Sequence, residues 1–339
     1  MLQEALNKVV LHCHLAPAEA EEALNEIMSG EASEAQIGAL LVALRMKGET
    51  ADEIAGFARA MRAHCVQVTP TAVGVVDTCG TGGDAADTFN ISTTAAFVAA
   101  GAGVPIAKHG NRAVSSQCGS ADVLRELGVE ISLSPEAVAE CIDAVGIGFL
   151  FAAELHPAMK HAVGPRKQLA MRTVFNLLGP LTNPANAKRQ LIGVYDFAFA
   201  PLMAEALAAN GSEHVMVVHG TAGLDEIALT GPTRIVELRD GKLKTYEITA
   251  SDLGLPEAPL EAISGGDAAT SAKYLLEVLE GRPGPRRDIV LANAAAAIYV
   301  GGKAASLAEG VAIARSVLDS GVALTRFEAL RELTRILAG

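Results

Sequence analysis

Apolar positions in the first 66 residues recur at helical spacing. "AEAEEALNEIMSG" and "SEAQIGALLVALRMKG" place aliphatic and small residues three and four apart, with Gly30 and Gly48 as stops. "TADEIAGFARAMRAHC" opens on Thr50 with Glu53 three positions later, the pattern of a capping box. No strand signal precedes residue 73. The texture then changes. Short β-branched runs, "VGVVDT" and "VPIAKHG", alternate with small-residue helical stretches, "TTAAFVAAGAG" and "SADVLRELG". This alternation predicts an α/β region with a mainly parallel sheet and covering helices. "QLIGVYD", "HVMVVHG" and "TRIVELRDGKLKTYEI" predict further strands. A helical block, "PRKQLAMRTVFNLLG", interrupts the series at residues 165–179, and the turn-rich "GPLTNPAN" follows it. "PGPRRD" at 283–288 reads as a surface connection.

The chain has 339 residues, room for about two domains, and half of them are hydrophobic. No apolar run approaches the ~20 residues of a membrane helix. The start, "MLQEALNKVV", lacks the pattern of a secretory signal, so the cytoplasm is expected. Cys13, Cys65, Cys79, Cys118 and Cys141 are scattered and never form a C-x-x-C pair. That argues against a disulfide framework or zinc site and for a reducing compartment. The formal net charge of −12 repels nucleic acid. A small phosphorylated substrate remains possible if its site is built locally, from backbone N–H groups, a few basic side chains and a metal where needed.

Five stretches could carry such chemistry. The first is "DTCGTGGD" at 77–84, whose Gly80, Gly82 and Gly83 leave backbone N–H groups open to an anion. A plain strand-to-helix turn is the competing reading. "GTGGDA" fits the dinucleotide fingerprint formally, but no Asp or Glu occurs between Asp87 and Asp122 to hold a ribose. The second, "TFNISTTAAFVAAGAG", offers Ser92 and Thr93 as N-caps of a helix whose start would attract anions. The third, "AKHGNRAVSSQCGSADVL", supplies Lys108, Asn111 and Arg112 as donors and Ser115, Ser116 and Ser120 as hydroxyls. His109 alone reads as a structural hydrogen-bonder. The fourth, "GTAGLDEIALTGPT", carries adjacent Asp225 and Glu226 after a strand, suited to Mg²⁺ shared with substrate phosphates. The fifth is "HPAMKHAVGPRKQLAMRTVFNLLGPLTNP". Its Arg166 is an interdomain salt-bridge candidate or a bidentate partner for a substrate carboxylate.

Together the stretches "GTGGD", "NIST", "KHGNRAVSS", "GSADVL", "PRK", "NLLGPLTNP" and "GLDEI" resemble, in order and approximate spacing, the anthranilate phosphoribosyltransferase family. The resemblance implies a small all-helical domain plus a larger α/β domain with a mainly parallel central sheet, ligands lying in the cleft between them. The helical domain would be 1–70, completed by about 165–186. The phosphoribosyl-pyrophosphate-binding domain would be 71–164 and 187–339. It implies that Gly80, Gly83, Asp84, Thr88, Asn90, Ile91, Ser92 and Thr93 line the donor site. Lys108, His109, Gly110, Asn111, Arg112, Ala113, Val114, Ser115, Ser116 and Ser120 would complete it. Gly80, Asn111 and Arg166 would meet anthranilate. Ser92, Asp225 and Glu226 would hold two Mg²⁺ ions, and no general base is assigned. A homodimer through the helical domain is implied, with no nucleic-acid or membrane partner. One departure is "SSQCGS", where many relatives have Lys and Ser in place of Gln117 and Cys118, which removes a local positive charge. Two rivals remain: a pyrimidine nucleoside phosphorylase, which would need no metal acids, and a nucleic-acid-binding relative, which would show a basic face.

Overall fold

The computed structural model describes residues 1–83, 86–113 and 118–339. The chain begins with four helices: α1 (Leu2–Val10), α2 (Pro17–Met28), α3 (Glu34–Lys47) and α4 (Ala51–Ala63). The Thr50 hydroxyl accepts the Glu53 N–H at 3.3 Å, and the Glu53 carboxylate accepts the Thr50 N–H at 2.9 Å. This is the capping box that the sequence predicts. Gly48 ends α3 at φ 85°, a conformation open to glycine.

Seven strands follow: β1 (Val76–Gly80), β2 (Ile106–Gly110), β3 (Ile147–Phe151), β4 (Arg189–Gly193), β5 (His214–Gly220), β6 (Thr233–Arg239) and β7 (Lys242–Ile248). They form one sheet in the order β3-β2-β1-β4-β5-β6-β7. The pairs from β3 to β5 are parallel, and β6 and β7 extend the sheet antiparallel. The chain winds outward from β1 to β3, then returns to place β4 on β1's other side. The β1–β4 crevice is therefore the topological switch point, where ligands bind at the strands' carboxyl ends in open α/β sheets.

Both faces are buried along the parallel strands such as β3 and β5, whereas the antiparallel edge strand β7 is largely exposed. Successive residues of β5 serve opposite cores. Met216 and Val218 join α5 (Ile91–Gly101) and the helix Pro285–Val300 on one face. Val215 and Val217, with Ile192 and Val194, join the helix Phe199–Ala209 and α1–α4 on the other. The helical segment thus shares a core with one face of the sheet.

Two sequence readings are corrected. The block 165–179 is not one helix. The helix Lys160–Leu169 ends at Ala170, which adopts φ 47°, and only Phe175–Leu178 resumes helical form. "PGPRRD" is not merely a connection either, because Pro285 starts the helix Pro285–Val300. Proline suits a first helical position, where its missing N–H has no partner to lose.

Candidate active site

The glycine turn leaves β1 at the switch point. Gly80 pairs with Gly193 at the ends of β1 and β4. The Thr81 N–H donates to Gly193 O at 2.9 Å, and the Tyr195 N–H donates to the Thr81 hydroxyl at 3.2 Å. Gly82 and Gly83 then take φ values of 63° and 76°. The Gly82 N–H donates to Asp225 Oδ2 at 3.0 Å, so the turn and the acidic loop touch directly. Their closeness depends on missing side chains. A Cβ on Gly80 would lie 2.6 Å from Asp225 Oδ2, and one on Gly193 would lie 1.5 Å from Asp225 O. The glycines therefore admit a carboxylate of the protein itself, whatever else they approach.

Asn90 is the N-cap of α5, so Ser92 and Thr93 lie within the first helical turn rather than capping it. Ile91 and Thr93 are buried, and the Ile91 N–H donates to Phe89 O at 2.7 Å. Asn90 Oδ1 and Thr93 Oγ1 are buried and have no hydrogen-bond partner among the described residues. Thr88 bridges to Ser264 through its backbone.

Lys108, on β2, is 3 % exposed. Its ammonium donates to Thr78 O and lies 3.3 Å from Ser92 Oγ. Burial lowers the Lys108 pKa, while Asp77, Cys79, Glu226 and Asp225 oppose that shift through their charges. The buried lysine and the acid pair thus sense one another across the crevice. Asp77 is fully buried and its carboxyl is pushed up by desolvation, against hydrogen bonds from neighbours that include the His109 N–H, 3.0 Å away. The His109 ring faces inward, with its Nε2 3.2 Å from His156 Nε2. Burial drives these rings to pKa values of about 3 and about 4 respectively, so both are neutral near pH 7. The structural reading of His109 holds for its side chain.

Past β2, Asn111 and Arg112 are exposed, and the Arg112 guanidinium lies 5.6 Å from the Phe151 ring centroid. The Ala113 N–H donates to Asp122 at 3.0 Å, and the Ser120 hydroxyl donates to Asn111 O at 3.3 Å. Gly119, not Ser120, is the N-cap of the helix Ser120–Glu126. Asp84, Val114, Ser115, Ser116 and Gln117 lie outside the described residues.

Arg166 stands on the helix Lys160–Leu169, which packs on α3, with its guanidinium 5.1 Å from the Phe175 ring centroid. Burial lowers its pKa. The basic group from this segment that touches the glycine turn is Arg172, which sequence reasoning passed over. It donates to Gly83 O and stacks 3.8 Å from the Tyr195 ring centroid. Asp77, His156 and Tyr195 were missed too. Arg172 stood within the quoted fifth stretch, but nothing local marked it above its neighbours.

A turn of glycines, a helix start, a buried lysine and two acids thus converge on the switch point of an α/β sheet that carries a helical bundle. Residues 3–65 match the glycosyl transferase family, helical bundle domain, and residues 72–324 match the glycosyl transferase family, a/b domain. The anthranilate phosphoribosyltransferase of Desulforudis audaxviator is 55 % identical over 334 residues, covering 98 % of this chain and 96 % of its own. The crystal structure of the Thermus thermophilus enzyme of that name superposes with a TM-score of 0.93 at 45 % identity, covering 98 % of this chain and 99 % of that one. The Saccharomyces cerevisiae enzyme in complex with PRPP (phosphoribosyl pyrophosphate) and Mg gives 0.90 at 30 % identity, covering 99 % and 98 %. The chain belongs to the anthranilate phosphoribosyltransferase branch of that glycosyl transferase family.

Proposed function

We propose that this protein transfers the 5-phosphoribosyl group from phosphoribosyl pyrophosphate to the amine of anthranilate, in tryptophan biosynthesis. The products are N-(5-phosphoribosyl)anthranilate and pyrophosphate. The observation that carries the reading is the contact of Asp225 with the glycine turn at the β1–β4 switch point, within electrostatic range of Lys108. The resemblance to an enzyme solved with PRPP and Mg supports it.

Ser92, Asp225 and Glu226 offer only oxygen donors, the set that Mg²⁺ prefers. No cluster of three His, Cys, Asp or Glu occurs among the described residues, which fits a metal that takes its remaining oxygens from substrate and water. Two Mg²⁺ ions per protomer is our reading. Bound there, they would neutralise charge on the pyrophosphate as it departs.

The protein's own part follows from its donors. The start of α5, capped at Asn90, would offer its positive helix end to a phosphate. Lys108 supplies a buried cation fixed by Thr78 O. As the anomeric C–O bond breaks, pyrophosphate leaves with the electron pair and the sugar becomes oxocarbenium-like. The anthranilate nitrogen then forms the new C–N bond, and the resulting ammonium gives its proton to water. An aromatic amine is unprotonated at neutral pH, so no strong base is required, and the buried neutral pair His109–His156 is not asked to act as one. Placement supplies much of the rate. Arg166 pairs with the acceptor carboxylate, and Gly80 and Asn111 border the acceptor. Gly83, Asp84, Thr88 and the segment 108–116 with Ser120 border the donor.

The helical part (1–70 with about 165–186) and the α/β part (71–164 and 187–339) form the two walls of the cleft. The protein works in the cytoplasm as a homodimer joined through α1–α4, where Val10, Leu11 and Met46 are exposed. Mixing protein, anthranilate, phosphoribosyl pyrophosphate and Mg²⁺ and following anthranilate fluorescence tests the reaction. Loss of fluorescence with matching pyrophosphate release supports it; no loss at micromolar protein refutes it.

A further inference from the structure

The acid pair lies on a loop whose backbone is gripped from behind. Asn293, in the helix Pro285–Val300, is fully buried. Its Oδ1 accepts the Ile227 N–H at 2.9 Å, and its Nδ2 donates to Ile227 O at 3.0 Å. The same Nδ2 donates to Ile289 O at 2.9 Å, one turn back on its own helix. Ile227 directly follows Glu226. One residue further, the Ala228 N–H donates to the buried Thr233 hydroxyl at 2.9 Å. On the other side, Leu224 and Gly220 exchange two backbone bonds, at 2.9 and 3.1 Å.

A helix interior is a poor place for Asn, which competes for backbone partners. A buried amide must also find partners for its donors and its acceptor. Here it finds them by reading both polar groups of one residue in a neighbouring loop. A planar amide does this with two separate atoms and still reaches its own helix; an aliphatic side chain cannot. On the same face of the helix, Ala296 and Ala297, three and four residues beyond Asn293, are small and fully buried.

We infer that Asn293 is a positioning residue for Asp225 and Glu226, fixing the backbone that aims the two carboxylates. Two adjacent carboxylates repel each other, and a brace on the backbone behind them holds the loop's shape against that repulsion. Fixing that shape in advance removes an ordering cost from each binding event. The inference rests on the reading of these acids as the Mg²⁺-binding pair.

Calorimetry of phosphoribosyl pyrophosphate binding across a Mg²⁺ titration tests it. Asn293→Ala should raise the Mg²⁺ concentration at half-maximal donor binding roughly 10- to 100-fold, the range seen when residues supporting metal ligands are removed. The anthranilate requirement at saturating Mg²⁺ should stay near wild type. Thr334→Val, which removes a buried hydroxyl that accepts the Glu130 N–H far from this loop, serves as a stability control and should leave the Mg²⁺ half-point unchanged. A folded Asn293→Ala with the wild-type half-point overturns the inference. Hydrogen exchange on the wild-type protein covers the case in which the variant fails to fold. The Ile227 amide should be protected like the core helix behind it, and exchange at the rate of an exposed loop overturns the idea of a brace. If wild-type donor binding ignores Mg²⁺, the reading of the acids fails instead.

Discussion

Gly80→Ala separates the glycine turn's role in positioning from its role in folding. Gly80 does not adopt a positive φ, so alanine is free of backbone strain there. The added methyl would sit 2.6 Å from Asp225 Oδ2, about 0.8 Å inside the 3.4 Å of ordinary contact. The obstacle is the end of a side chain, so the carboxylate can rotate away, but only by giving up its 3.0 Å bond to the Gly82 N–H. Fold stability should change by no more than about 1 kcal/mol, since lost hydrogen bonding is partly offset by a less flexible unfolded chain. Catalysis should suffer more. A displacement near 1 Å in a positioned group can cost about 100-fold, or roughly 2.7 kcal/mol of transition-state stabilisation. The assay is kcat/KM by anthranilate fluorescence beside a thermal melt. Gly193→Ala gives the contrast: its methyl would meet Asp225 backbone oxygen at 1.5 Å, so stability should fall along with activity. Activity of Gly80→Ala within twofold of wild type would refute the claim that Asp225 must stay where the glycines let it lie.

Arg166→Ala should raise the apparent anthranilate KM and leave donor affinity nearly unchanged, as measured by steady-state kinetics and calorimetry; a collapse of donor affinity with intact acceptor affinity would reverse the assignment. His109 and His156 have folded-state pKa values of about 3 and about 4, below the usual 6.5, so the unfolded chain binds more protons as pH falls. Their neutral burial therefore contributes stability that is complete above about pH 6.5 and declines as pH drops from there toward 4, a slope in melting temperature that His156→Gln should reduce. Charged substitutions at Val10, Leu11 and Met46 should convert a sedimenting dimer to monomer, whereas a wild-type monomer at micromolar concentration would sink the dimer.

Legibility in the sequence followed the range of the interactions. The Thr50–Glu53 capping box, the Gly48 stop and strands β1, β2, β4 and β5 are local features, and all were readable, while the single run "TRIVELRDGKLKTYEI" folds as two strands, β6 and β7. The strand β3 was not. "IGFLF" is buried along its whole length and shows no alternation to tell it from a helix segment. Ala170 ends a helix in a left-handed conformation without the glycine that usually announces one, so the break before Thr173 was invisible. Ser92 and Thr93 looked like caps because their residue types suit caps, yet the N-cap lies earlier, at Asn90. The motifs of the site were readable as a set. Their mutual geometry was not: Asp225 meets Gly82 across 143 residues, and Asn293 meets Ile227 across 66. No local pattern encodes such contacts, which arise only when the sheet closes at its switch point.

The central claim is that Asp225 and Glu226 join donor to protein through Mg²⁺. The combined substitution Asp225→Asn and Glu226→Gln keeps size and removes two charges. Calorimetry of phosphoribosyl pyrophosphate binding, with and without Mg²⁺, on this variant and on the wild type reads the coupling directly. Wild-type protein should bind donor and Mg²⁺ with mutual reinforcement, and the folded variant should lose most of that reinforcement even in excess Mg²⁺. Equal Mg²⁺ dependence in the two proteins would contradict the account and place the metal elsewhere.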